Sequence, residues 1–205
     1  MADREVHNII VTGVGGQGNV LASQVIAAAA LESGFCVSVG ETFGASQRGG
    51  SVMSHVRVSR LRAYGPLIPR GRASVIIGFE PLETWRTLAA YGGIDTQVIM
   101  NGRPNYPLGV LLGDFEYPDQ AGITSAVRAA CRSLTVLAAT ELAVAVGLSV
   151  GTNMVMTGAF AGISLLDIGR ETFEAVIGGL FAGEILALNL KAFRVGLAAV
   201  IRPDA

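Results

Sequence analysis

A glycine-rich segment near the amino terminus is the first place where residue types and spacing could do chemistry. Residues 13–18 read Gly-Val-Gly-Gly-Gln-Gly and follow a short apolar run at 7–12. Gly13, Gly15 and Gly18 have the GxGxxG spacing, in which glycines let the backbone approach a phosphate at a helix N-terminus. The spacing alone is a weak signal. Three interpretations stay open: dinucleotide binding, another anion or interface role, and close helix–strand packing.

The dinucleotide fingerprint also expects an acidic residue about 20 residues further on, where it binds the ribose. Glu41 lies 23 residues after Gly18 and follows an apolar run at 35–39 that we predict as the second strand. Residues 41–50 are then expected to form a loop of small and polar residues. In that loop Arg48 stands directly before two glycines.

Arginine dominates the interval between Glu41 and Glu80. The interval contains no Asp or Glu and holds six of the fourteen arginines. They are Arg48, Arg57, Arg60, Arg62, Arg70 and Arg72. Guanidinium groups bind phosphate or carboxylate in a bidentate fork, and a positive region attracts anions. The alternative is a solvated face whose arginines pair with acids elsewhere or on a partner. Arg48 is the most specific candidate because of its glycine-rich setting.

The remaining polar candidates are interpreted as structural. Asn153 stands before an apolar helical stretch and is typical of a helix N-cap. His7 and His55 fall in predicted strands without a neighbouring nucleophile, and no GxSxG, HExxH or Walker A motif occurs. Cys36 and Cys131 are isolated, which excludes a four-cysteine cluster and is typical of buried, reduced thiols. The sequence therefore offers no catalytic nucleophile or base.

The composition limits the class of protein. The 205 residues are 51% hydrophobic and 15% charged, with a net charge of −1. This excludes disorder and a nucleic-acid binder that depends on positive charge, and it fits one large domain over residues 1–205. Residues 142–166 carry no charge and are long enough to span a bilayer. The Gly-Thr-Asn break at 151–153 and the acidic flanks favour two buried helices instead. The charged N-terminus has no signal-peptide pattern, so we expect a cytoplasmic protein without a membrane span.

Hydrophobic patterning supplies the elements that must position these residues. Strand, glycine loop, helix and strand in succession are typical of the opening of a parallel α/β sheet. The predicted strands are 7–12, 35–39, 52–59, 73–79, 96–100 and 134–137. The predicted helices are 20–31, 81–91, 123–131 and 140–147, followed by 154–164, 171–180 and 183–198. The expected fold is α/β: a Rossmann-like, mostly parallel sheet flanked by helices, with an all-helical C-terminal segment from about residue 153.

The two glycine loops together resemble those of a known family. Residues 13–18, Glu41-Thr42 and the Ser-Gln-Arg-Gly-Gly-Ser-Val run at 46–52 look like the gamma-type subunit of the 2-oxoacid:ferredoxin oxidoreductases. The indolepyruvate type, where this subunit is called beta, is the most similar. Further matches fall at 78–83, 110–118, 153–159 and 188–196, so the resemblance covers about residues 6–197. Phe43 departs from the pattern, because aryl-pyruvate members often carry His there.

The resemblance implies a division of labour. Thiamine diphosphate and iron–sulfur clusters are expected on a larger partner subunit, and CoA in the complex, with no cofactor held by this chain alone. The complex would decarboxylate a 2-oxoacid, form an acyl-CoA and pass electrons to ferredoxin. The glycine loops would face the shared active site, where CoA and thiamine diphosphate bring phosphates. The candidate cofactor-binding residues are Gly13, Gly15, Gly16, Gln17, Gly18, Glu41, Ser46, Gln47, Arg48, Gly49 and Gly50.

Two rival functions make different predictions. A stand-alone Rossmann-type oxidoreductase would bind NAD(P) or FAD as an isolated chain. A membrane or scaffold protein, built on the uncharged stretch at 142–166, would need detergent. The sequence leaves open which 2-oxoacid is used and whether the isolated chain forms a homo-oligomer.

Overall fold

One six-stranded sheet organises the part of the chain that the structure describes. This computed structural model describes residues 5–43, 50–106, 108–114 and 116–201. The strands are β1 (His7–Val14), β2 (Cys36–Phe43), β3 (Ser51–Ser59), β4 (Val75–Gly78), β5 (Gln97–Asn101) and β6 (Ser133–Leu137). The helices are α1 (Asn19–Glu32), α2 (Pro81–Tyr91), α3 (Leu108–Leu111), α4 (Gln120–Ala130), α5 (Ala139–Ala145), α6 (Thr152–Gly162), α7 (Arg170–Leu180) and α8 (Gly183–Ile201). The α/β class and the helical C-terminal segment are confirmed, and the short helix α3 was not predicted.

The sheet order is β2-β3-β1-β4-β5-β6. β1, β4, β5 and β6 pair in parallel, whereas β3 is antiparallel to both β1 and β2. The sheet is thus mostly parallel, as expected, but β1 and β2 are not neighbours as in an ordinary Rossmann opening. The short connection between β2 and β3 explains why these two strands are antiparallel, because a parallel crossover needs a dozen or more residues and an antiparallel return does not.

The predicted start of the second loop is wrong. β2 continues through Glu41 and Thr42 to Phe43, and Glu41 pairs with Ser54 of β3. Ladder hydrogen bonds to β3 extend the strand beyond the apolar run from which it was predicted. Ser46, Gln47, Arg48 and Gly49 lie outside the described residues, as does the side chain of Phe43.

Two apolar layers cover the two faces of the sheet. Alternate residues of β1 face opposite sides, as the pleat requires: Ile9 and Val11 pack in the layer with α1, and Ile10 packs in the other. The larger layer contains α1, α6, α7 and α8, and the smaller one contains α2 and α4. The uncharged stretch is therefore explained in large part by α6, whose residues from Thr152 to Phe160 are all buried.

Glycines allow α6 and α8 to cross closely. A Cβ added at Gly158 would overlap the carbonyl oxygen of Phe193, and one added at Gly196 would overlap that of Val155. Each helix thus presents a glycine to the backbone of the other. Among the described residues, no helix combines the length and the apolar character that crossing a bilayer requires.

Candidate functional site

The glycine loop is held in shape by one side chain. Gln17 Oε1 accepts a hydrogen bond from the backbone N–H of Val14 at 2.7 Å, and its Nε2 donates to the carbonyl of Phe79 at 3.1 Å. Gly13 leaves room for this, since a Cβ there would lie 2.6 Å from Gln17 Oε1. Gln17, proposed from sequence as a cofactor contact, thus binds the loop's own backbone with its oxygen and fastens the loop to Phe79, after β4, with its nitrogen.

The backbone of the loop presents helix α1 without a cap. Gly18, the N-cap, has φ +84° and makes no side-chain cap hydrogen bond. Gly16 also has positive φ, and none of the described residues lies within 4 Å of a Cβ built there. Uncapped N–H groups at the positive end of a helix dipole, beside open space, are suited to an anion.

The side chain of Asn19, the first residue of α1, is a second group near the loop that lacks hydrogen-bond partners among the described residues. Asn19 is 3% exposed, and neither its Oδ1 nor its Nδ2 has a hydrogen-bond partner among the described residues. Its Nδ2 lies beside Gly13, beneath the loop. Buried amides without partners are costly, so this position is suited to a further polar group.

The glycine loop borders a cavity of about 690 Å³. The opposite walls come from the segment after β5, from Thr140 and Val144 of α5, and from residues 149–153 at the start of α6. These elements follow the carboxyl ends of β1, β5 and β6, which parallel pairing brings to one edge of the sheet. Ligands of open α/β sheets bind in the crevice outside these strand ends.

Two asparagines join the walls of the cavity. Asn101 Nδ2 donates to the Phe79 carbonyl and to Thr140 Oγ1, each at 3.1 Å, and its Oδ1 accepts from Ala139 N. Asn153 Oδ1 accepts from Met154 N at 2.8 Å, and its Nδ2 faces Gly18. The interpretation of Asn153 as the N-cap is wrong: Gly151 is the N-cap, and Asn153 lies inside α6.

Comparison with known proteins identifies the family. The family model described as "Pyruvate ferredoxin/flavodoxin oxidoreductase" matches residues 8–199. The chain belongs to this family. The membership predicted from the two glycine loops is therefore confirmed.

Curated relatives of this family member match along almost its whole length. It is 40% identical over 200 residues to "Indolepyruvate oxidoreductase subunit IorB" of Archaeoglobus fulgidus, covering 97% of this chain and 98% of the relative. It is 36% identical over 196 residues to the protein of the same name from Pyrococcus horikoshii, covering 94% and 95%.

Two solved structures share its fold. One is a 2-oxoglutarate:ferredoxin oxidoreductase from Magnetococcus marinus with 2-oxoglutarate, coenzyme A and succinyl-CoA bound, at 25% identity and a TM-score of 0.74. The match covers 97% of this chain but only 31% of that longer chain. The other is the gamma subunit of a keto/oxoacid ferredoxin oxidoreductase from Geobacter sulfurreducens, at 21% identity and a TM-score of 0.67, covering 95% and 98%.

The described arginines between Glu41 and Glu80 are not gathered at the cavity, whose lining includes Arg103 instead. Arg57 donates to Asn8 Oδ1 and to the carbonyls of Gly65 and Leu67, and Asn8 lies at the start of β1, opposite the glycine loop. Arg60 stacks over Phe35, and Arg62 pairs with Glu5 at 2.9 Å. Arg70 and Arg72 precede β4, also at that far end. For these five arginines the structural interpretation is favoured, while Arg48 lies outside the described residues.

The other singled-out residues lie away from the loop or serve packing. Glu41 is exposed in β2, separated from β1 by β3. His55 is buried, its Nδ1 accepts from Ile68 N at 3.3 Å, and burial lowers its pKa. Cys36 and Cys131 are free but only half-buried, contrary to the expected full burial. In the described part of the chain, no group of three or more His, Cys, Asp or Glu could hold a metal ion.

Asn101, Arg103 and Thr140 carry no motif that predicts a site from the sequence. Each is a single polar residue just after or near the end of a predicted strand, and only the pairing of β5 and β6 places them opposite the glycine loop. The rule that ligands bind at the carboxyl ends of parallel strands was the one signal that could have found them.

Proposed function

We propose that this chain is the gamma-type subunit of a 2-oxoacid:ferredoxin oxidoreductase that uses indolepyruvate or another aryl-pyruvate. The observation that carries the proposal is the 40% identity to an indolepyruvate oxidoreductase subunit over 97% of this chain. Full-length matches to separate subunits indicate that this chain, too, works beside a larger partner. The match to 31% of one long oxidoreductase chain fits the same unit in fused form.

The proposed reaction divides between two chains. In this proposal the larger subunit would hold thiamine diphosphate, which would supply the decarboxylation of the 2-oxoacid, and iron–sulfur clusters, which would carry the electrons of the oxidation to ferredoxin. The acyl group is transferred to the thiol of CoA. This chain supplies no proton-transfer group in the proposal; it binds and orients.

We infer that residues 13–18 and the N-terminus of α1 contact a phosphate of CoA. The uncapped N–H groups of α1, the open space beside Gly16 and the unpartnered amide of Asn19 support an anion at this place. Ser46, Gln47, Arg48, Gly49 and Gly50 are proposed to complete the site, because Gly50, the last residue of this run, accepts a hydrogen bond from Gly15 N at 2.8 Å. A related oxidoreductase structure contains coenzyme A.

Co-expression with a thiamine-dependent oxidoreductase subunit from the same organism tests the function. We expect the two chains to co-purify and to reduce ferredoxin with an aryl-pyruvate, strictly dependent on CoA. Arg48→Ala is expected to raise the KM for CoA while leaving the KM for the 2-oxoacid unchanged, and Arg70→Ala at the far end of the sheet is the matched control. Failure to co-purify, together with tight binding of NAD(P)H or FAD by the isolated chain in fluorescence titration, would support the dinucleotide-binding alternative.

A further inference from the structure

Phe79 and Glu80, adjacent at the end of β4, connect three walls of the cavity. The Phe79 carbonyl accepts from Gln17 Nε2 of the glycine loop and from Asn101 Nδ2 at the end of β5, both at 3.1 Å. Glu80 reaches in another direction, to Tyr117. The same two residues therefore fasten the glycine loop, the end of β5 and the long segment between β5 and α4.

The Glu80 carboxylate is fully buried, which is unusual for an acid. Its Oε1 accepts from the backbone N–H of Glu83, and its Oε2 accepts from the Tyr117 hydroxyl at 2.8 Å. Burial raises the pKa of Glu80, and these hydrogen bonds oppose the shift. Burial and the nearby carboxylate raise the pKa of Tyr117, so its hydroxyl keeps the proton that it donates.

A helix cap alone does not require this arrangement. An exposed Ser or Asp caps a helix equally well and avoids the cost of burying a carboxyl group. The longer side chain of Glu80 can also accept a hydrogen bond from Tyr117, which lies 37 residues further along the chain. The Tyr117 hydroxyl also accepts from the backbone N–H of Leu82 at 3.2 Å, so it is held from two sides.

Tyr117, held in place by these hydrogen bonds, packs against the segment that forms the cavity wall. Its ring meets that of Tyr106 edge to face, with centroids 5.1 Å apart and planes at 84°. Tyr106 directly follows the wall residues Arg103, Pro104 and Asn105. The base of this wall is held at Gly102, whose carbonyl accepts from Gln120 Nε2 and whose N–H donates to the Leu137 carbonyl at 2.8 Å. Within 103–105, Arg103 pairs with Glu141 at 3.7 Å in an exposed position, where an ion pair contributes little.

We propose that Glu80 and Tyr117 are positioning residues that hold the wall at residues 103–105 opposite the glycine loop, in the geometry that receives the anionic ligand. The proposal rests on the proposed function for the identity of that ligand, CoA. The anchoring of residues 103–105 by Glu80 and Tyr117 does not depend on the proposed function, because it is a property of this chain alone.

Two variants test the anchor, each with its own measurement. Tyr117→Phe removes one hydroxyl and keeps the ring against Tyr106, and Glu80→Gln keeps the shape but removes the charge. In the full-length chain, both are expected to raise amide hydrogen exchange at residues 103–106. In the complex, both are expected to raise the KM for CoA about tenfold, a loss of binding free energy about as large as the contribution of one hydrogen bond. The kcat and the KM for the 2-oxoacid are expected to stay within about twofold of wild type.

Thr87→Val is the matched control. Thr87 lies on helix α2, as the residues that Glu80 caps do, but its buried hydrogen bond runs to Thr12 Oγ1 of β1 at 2.9 Å, and the variant removes that bond. We expect it to lower the melting temperature as Tyr117→Phe does, while leaving exchange at 103–106 and the KM for CoA unchanged.

The outcomes separate the two proposals. Unchanged exchange at 103–106 in Tyr117→Phe overturns the anchor, as does a KM for CoA that stays at the wild-type value in an active complex. Equal effects of Thr87→Val on the KM would mean that lost stability, not position, is responsible, and would also overturn it. A wild-type complex without CoA-dependent activity refutes the proposed function instead. Amide hydrogen exchange at residues 103–106 is then the measurement that tests whether Glu80 and Tyr117 anchor the wall.

Discussion

The side-chain amide of Asn153 lies directly against Gly18, so that a Cβ at residue 18 would sit only 2.7 Å from Asn153 Nδ2. The N-termini of α1 and α6 meet at this contact, although 135 residues separate the two positions in the sequence. Glycine is therefore required at position 18 for two reasons: its backbone has a positive φ, and α6 packs too closely to leave room for a Cβ.

This contact predicts a difference between two alanine variants of the glycine loop. Gly16 and Gly18 both have positive φ, so either substitution strains the backbone by about 1–2 kcal/mol. Only Gly18→Ala adds a collision with Asn153, because Gly16 faces open space. We expect Gly18→Ala to lower the free energy of unfolding by at least about 1 kcal/mol more than Gly16→Ala, measured by urea unfolding. Equal losses would contradict the close contact.

The crossing of α6 and α8 predicts a large loss at Gly196. An alanine there collides with the backbone of Val155, which cannot rotate away as a side chain can. We expect Gly196→Ala to cost about 3 kcal/mol or to prevent folding. Gly178 on α7 is the control, since a Cβ there meets nothing within 4 Å. Gly178→Ala should stabilise the chain by about 0.5–1 kcal/mol through helix propensity, and calorimetry of the two variants checks both signs.

Gln17 predicts sensitivity to an isosteric change. In Gln17→Glu one oxygen still accepts from Val14 N, but the other faces the Phe79 carbonyl without a proton to donate. We expect a loss of about 1–3 kcal/mol in the free energy of unfolding, as for an unsatisfied buried acceptor. Gln24→Glu, on the exposed side of α1, makes the same chemical change and should stay within about 0.5 kcal/mol of wild type. Similar losses in both variants would argue against the fastening role of Gln17.

His55 predicts a loss of stability in mild acid. Burial lowers its pKa, so the unfolded chain takes up the proton at a higher pH than the folded one. The stability that depends on neutral His55 is thus fully present above the unfolded pKa of about 6.5 and is lost as the pH falls through the lower folded value. Wild type should lose more stability between pH 7.5 and pH 5 than His55→Gln, as measured by urea midpoints. Parallel pH profiles would contradict the assignment.

The sequence by itself determined much of this protein. Apolar runs of four to seven residues between Gly, Pro and polar turns indicated five of the six strands, because strands buried on both faces are continuously apolar, and alternation of side chains over 52–59 indicated β3. The helix at 81–91 was predicted to the residue, since Pro81 starts it and Gly92 follows its end. The paired glycine loops identified the family, because a backbone that must approach another group closely admits no other residue.

Only the tertiary structure decided how these pieces meet. Strand order depends on long-range pairing, and nothing local marked β3 as the strand inserted between β1 and β2. The roles of single polar residues depend on that order. Asn101 and Thr140 lie near the glycine loop, five arginines lie at the far end of the sheet, and Glu80 accepts a hydrogen bond from Tyr117. Periodicity reports which side of an element is buried, whereas partners across the fold are chosen by packing and hydrogen bonds between distant segments.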